Sequence, residues 1–96
     1  MTIKFHSGAR KEFFKAAEYY EEQVVGLGDA FINEVEKVFD VIKKYPSSGN
    51  KITPTERRFL VSRFPFGIIY SVDEDLIKIF AVMDLRQEPA YWKSRT

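Results

Sequence analysis

Arg57, Arg58, Arg63 and Arg86, followed by Tyr91 and Trp92, are the side chains of this chain that could do chemistry at a shared surface. A guanidinium is a planar fork that binds carboxylate or phosphate through two parallel hydrogen bonds. Such a group serves two purposes: gripping an anionic or aromatic partner, or stabilising the crowded phosphorane of metal-free RNA cleavage. The second also needs a base for the 2′-hydroxyl proton and an acid for the leaving oxygen. A base is hard to find. His6 is the single histidine and sits at the end of a strand, where a structural or surface role outweighs a catalytic one. Tyr91 with an ordinary phenol pKa near 10 is a poor base. Asp84 would repel an RNA phosphate and reads more simply as an ion-pair partner of Arg86 or Arg58. Arg57 and Arg58 are adjacent, so on a strand they face opposite ways and at most one joins Arg63 or Arg86. Some of these arginines are explained by a charged, solvated sheet edge. Trp92, the largest apolar surface available, is placed to pin the tail.

No cluster of His, Asp and Glu has ligand spacing, so neither a metal nor a cofactor is expected. The chain has no cysteine, which excludes disulfides and thiolate sites. Hydrophobic residues at 45% and charged residues at 30% describe a globular domain. No apolar run is long enough to span a membrane, and the start MTIKFHSGARKEFF lacks the apolar segment of a signal peptide. The formal charge of +1 is small for a nucleic-acid binder, but its distribution is uneven. Glu18, Glu21, Glu22, Glu34 and Glu36 lie early, whereas every arginine but Arg10 lies at or beyond Arg57. A local positive face under a nearly neutral total follows.

The elements that must position these groups are legible in the spacing. Thr2–His6 alternates polar and apolar residues as a half-buried strand does. Ala9, Phe13, Ala16, Ala17, Tyr20 and Val24 then form a helical stripe, with Ser7 or Gly8 as cap and Gly26-Leu27-Gly28 as the stop. A second helix is predicted from Asp29, with a stripe of Phe31, Val35, Val38, Ile42 and Tyr45, Asp40 paired with Lys43 and Lys44, and Pro46 closing it. The short link makes the two helices an antiparallel hairpin. Residues 46–54 read as a mobile surface loop. Three strands follow at 57–63, 67–72 and 76–83, the last two joined through Asp73-Glu74-Asp75 and the first turned by Phe64-Pro65-Phe66. Alternation in the last strand puts Ile77, Ile79, Ala81 and Met83 under the helices and Lys78, Phe80, Val82 and Asp84 on the other face. The outer face then needs the C-terminal segment or a partner to cover it. The expected fold class is α+β in one domain over residues 1–96. It comprises an N-terminal strand, an antiparallel helical hairpin and a three-stranded antiparallel meander forming one small sheet.

In the order YYE, GLG, F-x-x-E-V, RR, FP-aromatic and P-x-Y-W, the chain resembles the RelE/ParE superfamily of bacterial type II toxins, the ParE-like branch more than the RelE-like one. The stretches that carry the resemblance are EFFKAAEYYEEQVVGLGDAFINEVEKVFDVIKKYP, RRFLVSRFPFGIIY and LRQEPAYW, nearly the whole chain. It implies a cytoplasmic toxin silenced by a cognate antitoxin, on a fold that hosts two activities. RelE-like members cut messenger RNA on the ribosome, and ParE-like members poison DNA gyrase. A nuclease would draw on Arg58, Arg63, Arg86 and Tyr91. A target-binding surface would draw on Arg57, Arg58, Arg63, Asp84, Arg86, Tyr91 and Trp92. Many relatives read AV-x-H-x-R-R where this chain reads AVMDLRQ, so Asp84 replaces a histidine and Gln87 an arginine. The gyrase-directed inhibitor is therefore the favoured expectation; the ribosome-dependent endoribonuclease and a remnant that only binds antitoxin are the alternatives.

Overall fold

In the computed structural model, which describes residues 1–96, the chain runs β1 (Thr2–Phe5), α1 (Ser7–Gln23), α2 (Leu27–Lys44), β2 (Asn50–Lys51), β3 (Arg57–Leu60), β4 (Phe66–Asp73), β5 (Leu76–Asp84) and a C-terminal 3-10 helix (Tyr91–Arg95). The α+β architecture with a helical hairpin is as expected, but the sheet is larger and mixed. Its order is β1-β5-β4-β3-β2, with β1 parallel to β5 and every other pair antiparallel. The meander is β3-β4-β5. The stretch expected to be a mobile loop contributes β2, which pairs Asn50 with Arg58 and Lys51 with Arg57. No helix is long and apolar enough to cross a membrane.

Local chemistry sets the helix ends. The α1 cap is His6, not Ser7 or Gly8: its Nδ1 accepts the Gly8 N–H at 2.9 Å, satisfying one of the helix's free amides. Gly26 has φ +87°, a left-handed turn that glycine adopts without steric cost. Glu21 of α1 then spans the turn, accepting from Gly26 N at 2.9 Å and Gly28 N at 3.0 Å. That carboxylate supplies the acceptor for α2, which begins at Leu27, two residues ahead of Asp29. Phe31, Val35, Val38 and Ile42 are buried as their spacing predicts, while Val24 and Tyr45 lie past the last helical turns and are exposed. The ion pair along α2 is Lys37–Glu34 at 3.4 Å; Asp40 forms none with Lys43 or Lys44.

Helices and sheet meet in an aromatic core. The Phe31 ring lies 5.4, 5.2 and 5.0 Å from Tyr20, Phe64 and Phe66, mostly edge to face, the geometry the ring quadrupoles favour. The expected face assignment of β5 fails halfway. Ile69 opposes Ala81 but Tyr70 opposes Ile79, leaving Phe80 as an extra residue. This bulge reverses the alternation. Ile77, Ile79 and Val82 therefore enter the helix-side core, whereas Phe80, Ala81 and Met83 join Ile69 and Trp92 in a second core on the outer face. The chain's own C-terminus covers that face, with Trp92 only 2% exposed and its indole N–H donated to Pro89 O at 2.8 Å.

Past Phe5, β5 has no strand neighbour on its β1 side, and side chains satisfy its edge. Glu12 Oε1 accepts the Val82 N–H at 3.0 Å, and Arg95 donates to Phe80 O at 2.9 Å and to both Glu12 oxygens at 3.0 and 3.1 Å. An exposed row of amides and carbonyls would otherwise invite pairing with another chain.

Candidate functional site

The bend between β3 and β4 and the end of β5 lie together, because Leu85 N donates to Pro65 O at 2.9 Å. Arg58 and Leu60 alternate onto the outer face of β3, opposite Ile69 and Gly67 of β4. Glycine at 67 makes room there: a Cβ would come within 3.1 Å of Arg58 Cγ and Cδ and 3.3 Å of Leu85 Cδ2. The aliphatic stem of Arg58 thus crosses the strand toward Leu85. Leu60 and Leu85 are 52% and 38% exposed, so exposed apolar surface lies beside the Arg58 stem.

Arg63 stands at the bend with φ +71° and its guanidinium 5.9 Å from the Phe64 ring centroid. It is exposed, and like Arg58 it forms no ion pair. Arg86 is different. Its Nε and Nη2 donate to the two oxygens of Asp84 at 2.9 and 2.7 Å, and its backbone N–H adds a third bond at 3.0 Å. Those bonds hold the Asp84 carboxyl below the usual carboxylate range despite its partial burial, and Asp84 in turn raises Arg86. Tyr20 of α1 is raised mainly by burial, with the Arg86 and Asp84 charges acting on it too, and its ring lies 6.1 Å from that of Phe66, so this end of the sheet faces the C-terminal part of α1, where Tyr19 is exposed.

The remaining sequence-predicted residues lie elsewhere. Arg57 points away from Arg58, as adjacency on a strand requires, and its Nη1 donates to Ser47 O at 3.0 Å and Gly49 O at 2.8 Å. Tyr70 helps it fasten that loop, accepting from Gly49 N at 2.9 Å and donating to Pro46 O at 2.8 Å. Trp92 is inside the outer core. Tyr91 lies beside it, half-buried, with Arg95 5.1 Å from the ring centroid and a hydroxyl that is enclosed without a hydrogen-bond partner. Burial first and the nearby Glu12 carboxylate second push that phenol far above its ordinary value. His6 is occupied as a helix cap. No group of three or more His, Cys, Asp or Glu side chains is arranged to hold a metal ion.

Arg58, Arg63, Asp84 and Arg86 are therefore brought to one end of the sheet, while Arg57, Tyr91 and Trp92 serve loop and tail. Sequence reasoning missed Leu60, Leu85, Gly67 and Tyr19. The signal for Leu60 was its i+2 relation to Arg58, which fixes the same face once the strand is granted.

A family model described as the ParE toxin of the type II toxin-antitoxin system parDE matches residues 3–89. Among solved structures, the chain is similar to one from the chromosomal ParDE TA system of P. aeruginosa. The TM-score is 0.62 and the identity 16%, over 90% of this chain and 97% of that one. No curated protein matches the chain.

Proposed function

Because the chain belongs to the ParE toxin family of type II toxin-antitoxin systems, we propose that it inhibits growth by binding a protein target, DNA gyrase, without catalysing a reaction, and that a cognate antitoxin neutralises it. The observation that carries this reading is the pair of exposed leucines, Leu60 and Leu85, beside the Arg58 stem. Arginine set in apolar surface is the composition of a protein–protein hot spot. A phosphate-cleaving centre needs donors and a base, and exposed leucines add nothing to either. The tyrosine that a nuclease would use has its hydroxyl enclosed and its pKa raised, which disfavours it as a base at neutral pH. Asp84 adds to this: it occupies the fork of Arg86, the group that would otherwise be open to a phosphate.

The antitoxin is the second partner. Phe14, Tyr19 and Val25 are exposed along the helical hairpin, surface that an amphipathic segment would cover. Acidic side chains on the same segment would meet Arg58 and Arg63.

The test is inhibition of gyrase supercoiling by the purified chain, with trapped cleavage complexes as the expected product. Substituting Arg58→Glu and Arg63→Glu together should abolish inhibition while circular dichroism stays unchanged. Codon-phased cuts in messenger RNA during translation, with gyrase unaffected, would overturn the reading in favour of the ribosome-directed alternative. Restoration of growth by the neighbouring reading frame identifies the antitoxin.

A further inference from the structure

A second cationic surface lies toward the Asp73 end of β4, reached by Arg57, which turns to the opposite face of β3 from its neighbour Arg58. There an open depression of about 520 Å³ is lined by Lys51, Arg57 and Lys78. Three features mark it as built to receive an anion. First, Lys51 and Arg57 are direct cross-strand partners in the β2–β3 ladder. Like charges in that relation are destabilising, and no carboxylate bridges the two. Second, Arg57 is fixed in place through Nη1 alone, by Ser47 O and Gly49 O, so its Nε and Nη2 protons have no protein acceptor. A guanidinium immobilised on one nitrogen and open on the others loses little entropy on binding. Third, the lining adds the hydroxyls of Ser47 and Ser71, the Thr55 hydroxyl being donated to Glu56 Oε2, with Val72 as its one hydrophobic residue. The single carboxylate, Asp73, lies 3.8 Å from Lys78, and both side chains are well exposed, a loose pair that an incoming anion can displace.

We propose that this depression holds the phosphate backbone of a nucleic acid. Lysine, arginine and small hydroxyl side chains are the groups that contact phosphodiesters. An acidic peptide would need apolar pockets for its anchors, and this lining offers almost none. The surface is separate from the one assigned to the protein target, so the chain would engage two macromolecules at two surfaces of one sheet.

The test is fluorescence anisotropy of a short labelled DNA duplex with the full chain across a salt series. Three phosphate contacts give a slope of log K against log salt of about −2.7. Lys51→Gln with Lys78→Gln should bring the slope to about −0.9, and Arg58→Glu with Arg63→Glu should leave it near the wild-type value. Lys51→Gln alone should raise the melting temperature while weakening binding, because it removes the Lys51–Arg57 repulsion; a merely structural lysine would lower it. No duplex binding at low salt, or an unchanged slope in the lysine variant, overturns the assignment. So does loss of binding in the Arg58/Arg63 variant, which moves the contact to the other surface. Stabilisation by inorganic pyrophosphate without duplex binding would give the pocket to a free phosphate compound instead, also overturning it. Gyrase inhibition is read in separate variants, so either reading can fail alone.

Discussion

Replacing Glu12 with alanine removes the α1 side chain that answers both the free edge of β5 and the C-terminal tail. Glu12 accepts from Val82 N and from two nitrogens of Arg95, which itself reaches Phe80 O. Arg95 and Glu12 side chains are 18% and 21% exposed. Removing one partner of a fully buried pair costs about 3–5 kcal/mol; the residual exposure takes this to the lower end, and the orphaned Val82 amide adds to it. A loss of about 3 kcal/mol follows, or a melting temperature lower by about 12–24 °C in a domain of this size. Glu12→Gln keeps an acceptor for Val82 and should lose about half as much. The chain has a single tryptophan, Trp92, buried in the core that the tail completes, so its emission reports tail release directly. Urea unfolding followed by circular dichroism and by Trp92 emission should give two non-coincident transitions in Glu12→Ala and one in the parent chain. A Glu12→Ala/Arg95→Ala cycle should show coupling of at least about 1 kcal/mol. A loss below about 0.5 kcal/mol with unshifted emission would refute the assignment of the bridge as the tail's anchor.

Tyr70→Phe should cost about 1–3 kcal/mol, because it strands the buried Gly49 amide and frees Pro46 O, and hydrogen exchange should accelerate at Gly49 ahead of the rest of the sheet. Gly67→Ala should change stability by less than about 1 kcal/mol, since the atoms it meets belong to the flexible Arg58 and Leu85 side chains, yet weaken gyrase inhibition by moving Arg58. Unchanged inhibition would remove Arg58's placement from the site. The Asp84 carboxyl is held low by Arg86, so its contribution to stability is complete above the unfolded carboxylate value near 3.9 and is lost as pH falls through the lower folded value. Acid unfolding of Asp84→Asn should therefore lack that part of the pH dependence, and a curve parallel to the parent's would contradict the pairing.

Both helices and all three strands of the meander are legible because their cues are local: stripes at three and four, Gly26, Pro46, and β-branched runs between turn residues. The N-terminal strand is legible from its alternation but its pairing is not, and β2 is missed altogether. β1 pairs with residues 76–79 at the far end of the chain, and β2 is two residues long, too short for any periodicity. The bulge at Phe80 leaves no mark in IKIFAVM, where either phase puts apolar residues on both faces. At the candidate site the charges are visible and the leucines are not, since an exposed leucine and a core leucine are the same letter. Arg57 facing away from Arg58 follows from strand geometry, but its carbonyl partners depend on where residues 46–50 return.

The arginines that look like one cluster in the sequence are divided by the fold into three kinds of work, and the division determines how much charge a partner meets. Arg57 fastens a loop through one nitrogen, Arg95 closes the tail on Glu12, and Arg86 is matched by Asp84. Only Arg58 and Arg63 bring unmatched charge to the end of the sheet proposed to meet the target. A partner at that end therefore gains from two guanidinium groups without displacing anything, whereas it can recruit Arg86 only by exchanging Asp84 for its own acid, with little net change in Coulomb energy. Charge reversal at Arg58 or Arg63 should consequently weaken target binding more than neutralisation at Arg86. The order of the three effects tests whether the ion pair persists in the bound state.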